Sequence, residues 1–334
     1  MTQALSSYHD FADLLPPAHL VRLLDSDAGV RRIALADLAD EEDPEHLPVL
    51  VAAASDADPQ VRQEAAERLA TWEEPAAVGA LARLLTDQDT AVRGAAAQSL
   101  TALKTPQAGQ PLLALTEHPD AFVRTAALRA LRELRLADAL VPAQARLADT
   151  DAQVRREAVG VLGWLRAPQA LEAIARLASE DADAEVRRAA TGALGYATDA
   201  SVQPALLQAL RDEAWQVREE AAATLGKLRF AESAPELIFA LDDAYWQVSL
   251  RAARALGRSL ARSCGKDAVP ALAALLVRPV ANLRKEAALA LGEIGSKAAV
   301  PALLAAEQDG DPEVRKSVRL ALTQIAAFAL ERAS

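Results

Sequence analysis

The sequence predicts an all-α protein, a right-handed α-solenoid of about ten helix pairs, and three observations predict it. The pattern V-R-x-x-A-x-x-x-L recurs ten times in 334 residues at a nearly constant spacing of 31. An aspartate stands three positions ahead of the pattern in seven of the ten repeats. No segment alternates apolar and polar residues with the period of two that a half-buried strand requires. A fixed period between about 20 and 50 residues marks a chain of stacked repeats, none of which buries its apolar face alone.

The second helix of each pair carries the pattern. It starts at Val30, Val61, Val92, Val123, Val154, Val186, Val217, Val248, Leu283 and Val314. Apolar residues at i, i+4 and i+8 lie on one helical stripe, so Val30, Leu38, Val154, Leu162, Val217 and Leu225 are expected in the core. The preceding aspartates (Asp27, Asp58, Asp89, Asp120, Asp151, Asp183, Asp311) occupy the N-cap position, where a carboxylate accepts an orphan backbone N–H. Pro59 and Pro312 follow two of them at the first helical position. A second aspartate recurs five positions ahead of the pattern and an arginine one position after its start. Together they predict an Asp–Arg ladder between stacked repeats, using the forked guanidinium against a carboxylate. The first helix precedes each cap, as over residues 75–85, 168–178 and 298–306, with proline near several starts, where its missing N–H costs least.

The unit D-x-D-x-x-V-R-x-x-A-x-x-x-L-G, preceded by A-V-P-A-L at Ala268–Leu272 and Ala299–Leu303, resembles the short HEAT-like repeat of phycobilisome lyases. The resemblance spans residues 20–325. It implies one unbroken HEAT-like solenoid there, with residues 1–19 and 326–334 as end caps. It implies little about activity, because relatives of this repeat type serve as bilin-attachment subunits, scaffolds and designed binders.

The opening segment lacks the basic and apolar regions of a secretory signal, and no run approaches the roughly 20 apolar residues of a membrane span. The one cysteine, Cys264, fits a reducing cytoplasm. Net charge is −11, which argues against a broad nucleic-acid surface. The charge is uneven: residues 1–60 hold 12 acids and 3 bases, whereas residues 248–297 hold 9 bases and 3 acids. No catalytic constellation emerges. His9, His19, His46 and His118 have no metal-ligand spacing, and phosphate-loop, dinucleotide and nucleophile-elbow motifs are missing. Cys264 lies near Arg262 and Lys266 but shares its half of the chain with no histidine base. No cofactor, no metal and no enzymatic activity are expected.

The candidate site lies where the repeat departs from its own rule. Repeats seven, eight and nine carry Ala214, Tyr245 and Val280 in place of the capping aspartate. Trp215 and Trp246 occupy equivalent positions in successive repeats, as do Trp164 and Tyr196. In repeat eight Ser249 replaces the ladder arginine, and Arg251, Arg254, Arg258 and Arg262 follow. On a regular helix these four span about 80°. The next repeat arrives after 35 residues, an insertion expected to lengthen the helix by one turn without rotating its face. Two readings stay open: tryptophans packed on neighbouring repeats beside a solvated arginine face, or a partner-binding surface on the concave side. The second is adopted as a non-enzymatic scaffold or adaptor gripping an acidic protein partner. The alternative is a lyase-like or chaperone-like subunit that holds a tetrapyrrole or another carboxylate-bearing cofactor for a client protein.

Overall fold

The computed structural model describes Tyr8, Phe11 and residues 14–261 and 266–331, without the side chains of residues 258, 259 and 329–331. Every regular element among these residues is helical. The chain forms two units, Met1–Ala167 and Pro168–Ser334, and each is a run of helix pairs of the α-solenoid class. In the first unit α1 (Pro17–Leu23) pairs with α2 (Ala28–Asp40), α3 (Leu47–Ala53) with α4 (Pro59–Arg68), and α5 (Pro75–Leu84) with α6 (Thr90–Leu100). Two 3-10 segments, Pro106–Leu112 and Ala114–Glu117, precede α7 (Ala121–Leu134), and α8 (Leu140–Arg146) pairs with α9 (Ala152–Leu165). In the second unit the pairs are α10 (Leu171–Glu180) and α11 (Ala184–Ala193), α12 (Gln203–Ala209) and α13 (Trp215–Leu228), and α14 (Ala234–Ala240) and α15 (Trp246–Arg254). They continue as α16 (Val269–Leu275) and α17 (Ala281–Ile294), then α18 (Val300–Ala305) and α19 (Pro312–Glu331).

Repeat four departs from the α-helical pair for a local reason. Pro111 falls inside the segment 106–112 and disfavours α-geometry for the residue before it. Gly109 lies so close to α7 that a Cβ there would meet Leu134 Cδ1 at 2.8 Å.

The periodic stripe forms the core. Ala65, Ala96, Ala158, Ala221 and Ala252 have no solvent exposure, and neither do Leu38, Leu100, Leu162 and Leu225. Val154 and Val217 are equally buried, whereas Val30 in the first pair and Leu322 in the last are only half-buried. A terminal pair has a neighbouring repeat on one side alone, so part of its stripe stays open.

All seven predicted caps form: each aspartate accepts a backbone N–H of the first turn, as Asp58 does from Gln60 at 2.8 Å. The ladder also forms. In the first unit Arg31, Arg62 and Arg124 each grip Asp56, Asp87 and Asp149 of the next repeat with Nε and Nη2, at 2.6–2.9 Å. In the second, Arg187, Arg218 and Arg284 grip Asp212, Asp243 and Asp309 at 2.7–3.0 Å. The remaining nitrogen, Nη1, donates to two loop carbonyls of the arginine's own repeat, so all three guanidinium nitrogens are engaged. Repeat four again improvises. His118 stands at the ladder position, its Nδ1 accepts the Asp120 N–H at 3.1 Å, and Arg93 reaches Asp120 instead at 2.6 Å.

One rung is replaced as a whole. Between repeats eight and nine the arginine is Ser249 and the aspartate is Arg278. Ser249 is buried, and Arg278 turns back to pair with Asp242. The four-residue insertion falls between Leu256 and Val269 and includes residues 262–265, so the helical turn expected from it lies outside the described residues. α15 ends at Arg254, and Ala255–Ser259 forms a π-helical turn in which the Leu260 N–H donates to the Ala255 carbonyl at 3.0 Å. A π-turn takes up an extra residue and re-aims the face beyond it. Close packing holds this turn in place. A Cβ on Gly226 would meet Ala255 at 2.7 Å, and one on Gly257 would meet the Ala290 backbone at 2.5 Å.

Candidate functional site

The eight predicted contact residues fall into different settings. In the first unit Trp164 stands near the end of α9, 48% exposed, with the Arg135 guanidinium 4.6 Å from its ring centroid. Arg135 reaches it from a left-handed cap at the end of α7 (φ 51°). In the second unit Tyr196 ends the 3-10 turn after α11, and burial pushes its hydroxyl pKa up to about 12.

Trp215 and Trp246 are the first residues of α13 and α15, as expected of their position. Without a capping carboxylate at Ala214 or Tyr245, neither helix has a side-chain cap bond. An aromatic edge has formed there. Trp215 stacks on Tyr245 with ring centroids 5.4 Å apart and planes 12° from parallel, a favourable offset arrangement. The Arg218 guanidinium lies 5.8 Å from the Tyr245 ring while holding its ladder aspartate. Tyr245 and Trp246 remain 46% and 40% exposed. This stack was missed in the sequence because its partners occupy neighbouring, not equivalent, positions of successive repeats.

Two of the four arginines of the stripe are paired within the unit. Arg251 Nε donates to Glu219 at 3.0 Å, and Arg254 grips Glu286 with two nitrogens at 2.9 and 2.8 Å. For Arg251 and Arg254 the repulsion inferred from sequence is relieved inside the unit. Arg258 falls within the π-turn, its side chain outside the described residues, as are Arg262 and Cys264. Arg254 belongs instead to a second kind of inter-repeat link. In the first unit Arg129, at the same repeat position, reaches Glu157 of the next repeat, as Arg254 reaches Glu286. The signal was present as an arginine six positions into one repeat and a glutamate three positions into the next.

The carboxylates offer little chemistry. Most of those with depressed pKa values are ladder members: the Arg62 guanidinium holds Asp87 below the usual range, and Arg284 does the same for Asp309. Glu220 is pushed up by burial, tucked against the bare face of Gly192, where a Cβ would lie 2.8 Å from its Oε1. Among the described residues no group of three or more His, Cys, Asp or Glu side chains could hold a metal ion. A groove of about 460 Å³ in the second unit is lined by Ser179, Pro204, Gln208, Arg211 and Glu236 among others and includes none of the eight predicted residues.

A family model described as HEAT repeats matches residues 17–100, 47–132, 110–195, 138–226, 174–257 and 234–323, which together span almost the whole chain. Comparison with curated proteins returns no sequence match. Among solved structures, an engineered protein is 23% identical, with 98% of this chain and 99% of that chain covered and a TM-score of 0.53. YibA of E. coli is 19% identical over 74% of this chain and 92% of its own, with a TM-score of 0.61. Kap95p, in a structure concerned with its binding to RanGDP, is 17% identical with a TM-score of 0.63. That match covers 96% of this chain and 50% of Kap95p, so the chain spans half of that protein's length. At these identities the likeness is one of fold.

Proposed function

The chain belongs to the HEAT-repeat family, and from that premise we propose that it is a non-enzymatic scaffold or adaptor that grips a partner protein. The observation that carries this reading is the aromatic edge of the second unit, where uncapped helix starts carry the exposed rings of Tyr245 and Trp246 and the half-buried Trp215 stacked on Tyr245. Trp and Tyr are the residues most often found at interface hot spots, because they bury large area with little rotamer entropy. Repeat arrays supply extended binding surfaces by construction. Kap95p, of the same fold, is known in structures with RanGDP and with Nup1.

In this reading the partner anchors on Trp215 and Trp246, with Tyr196 of the same unit as a further aromatic contact. Arg251, Arg254, Arg258 and Arg262 provide the contact with an acidic segment. Because Arg251 and Arg254 already hold Glu219 and Glu286, an acidic partner there exchanges one carboxylate for another and gains mainly specificity. The single cysteine fits a cytoplasmic setting. The test is co-purification from native lysate, read by mass spectrometry, with wild type and Trp215→Ala/Trp246→Ala side by side. Loss of one or more partners at an unchanged helical spectrum is expected. Identical partner profiles would remove the aromatic edge from the function.

A further inference from the structure

A second cluster of cations lies away from the predicted stripe, in the first unit. Glu157 is 3% exposed, and three guanidiniums converge on it. Arg129 donates to its Oε1 at 3.1 and 3.2 Å, Arg132 to its Oε2 at 3.0 Å, and Arg156 stands at 3.7 Å. Gly160 makes the arrangement possible, since a Cβ there would lie 3.0 Å from Arg132 Cδ as the stem crosses α9. One buried carboxylate therefore fixes three cations, whereas Arg251 and Arg254 each have a carboxylate of their own. The outer side of Arg129 and Arg132 lines a groove of about 730 Å³, together with Gln98, Thr101, Leu103 and Lys104. Two further carboxylates are close. Glu133 on the rim pairs with Arg132 at 2.9 Å, and Glu73 accepts the backbone N–H groups of Lys104 and Thr105. Three cations, Arg129, Arg132 and Lys104, thus line the groove against one carboxylate on its rim, with Glu157 sealed beneath the surface and Glu73 beside Lys104, on a protein whose net charge is −11.

We propose that this groove binds an acidic peptide segment of a partner protein. Like charges held a few ångströms apart repel, and an incoming carboxylate relieves that repulsion. Guanidiniums pinned from below lose little freedom on binding, and their fork geometry matches Asp and Glu side chains. Ala102 supplies an exposed apolar contact, and Gln98 and Thr101 supply polar groups beside it, a mixture suited to a peptide backbone. A long phosphate polymer would extend over the acidic remainder of the surface, whereas a short acidic segment meets only the groove. This site stands apart from the aromatic edge and does not depend on it.

Fluorescence anisotropy of a labelled deca-glutamate peptide on the full-length protein at low salt tests the proposal. Saturable binding is expected, weakening steeply as the Debye length falls from about 10 Å at 0.1 M salt to about 3 Å at 1 M. Lys104→Glu, which leaves Glu157 and its arginines untouched, should weaken binding about tenfold, and Arg129→Gln should do the same at an unchanged helical spectrum. Trp215→Ala/Trp246→Ala should bind the peptide as wild type does, which separates this site from the aromatic edge. No saturable binding, equal binding by Lys104→Glu, or tighter binding of a ten-nucleotide oligothymidylate than of the peptide would each overturn the proposal.

Discussion

Asp87→Ala probes what the Asp–Arg ladder contributes to the stacking of repeats. Asp87 accepts Arg62 Nε and Nη2 at 2.6 and 2.8 Å, and its Oδ1 also accepts the Asp89 N–H at 2.9 Å. The two side chains are only 16% and 9% exposed. Removing one partner of a fully buried pair costs about 3–5 kcal/mol because the other charge is stranded. Arg62 keeps two loop carbonyls through Nη1 and some solvent, so about 2–4 kcal/mol is expected here. Asp37→Ala is the control: its pair with Arg22 is 47% and 35% exposed, and such pairs are worth about 0–1 kcal/mol. Urea unfolding followed by circular dichroism compares the two variants, and hydrogen exchange localises the loss to the second and third repeats. Replacing both members, Arg62→Met with Asp87→Leu, should recover most of the loss, as the joint replacement by Ser249 and Arg278 suggests. Equal effects of Asp87→Ala and Asp37→Ala would refute the ladder as a source of stability.

The same carboxylates set the acid limit of the fold. Hydrogen bonding to Arg62 holds Asp87 below its ordinary value of 3.8 despite the opposing effect of burial. In Asp149, Asp212 and Asp243 burial opposes the shift more strongly, and the paired guanidinium and backbone N–H still outweigh it. A depressed folded pKa stabilises the fold above the unfolded value, and this contribution is lost as pH falls from there through the folded value. The gap between wild type and Asp87→Ala should therefore be full at pH 7 and shrink below about pH 4, as pH-dependent melting curves would show. Leu162→Ala, at a fully buried position, should cost about 2–5 kcal/mol in urea unfolding. Asp151→Ala should cost about 0.5–2 kcal/mol by loss of the cap to Val154 N–H. The reverse change, Ala214→Asp, should raise the melting temperature by restoring a cap where the backbone is already extended (φ −82°, ψ 120°). Gly257→Ala should destabilise by about 1–3 kcal/mol through overpacking against Ala290, and retention of the wild-type melting temperature would contradict the close packing of the π-turn.

The repeat itself was legible because it is written ten times, and each copy is a local rule. Val, Ala and Leu at helical spacing, Asp before the first turn and Asp against Arg at 25 residues all depend on chain-local geometry plus one neighbour. The site was legible only as an anomaly. Sequence located the missing caps at Ala214 and Tyr245 but not the stack of Trp215 on Tyr245, because ring contact depends on how two helix starts approach. It counted four arginines in repeat eight but could not see Glu219 and Glu286 opposite Arg251 and Arg254, nor the three guanidiniums around Glu157. Nor could the π-helical turn after Arg254 be read, since Val248, Ala252 and Leu256 keep the same spacing as in the α-helical repeats. The sequence alone determined the repeat, its caps and its ladder, where the free energy of each contact is fixed by spacing along the chain. Tertiary structure decided which charges are neutralised and which aromatics meet, because those depend on distances of a few ångströms between helices that no spacing encodes.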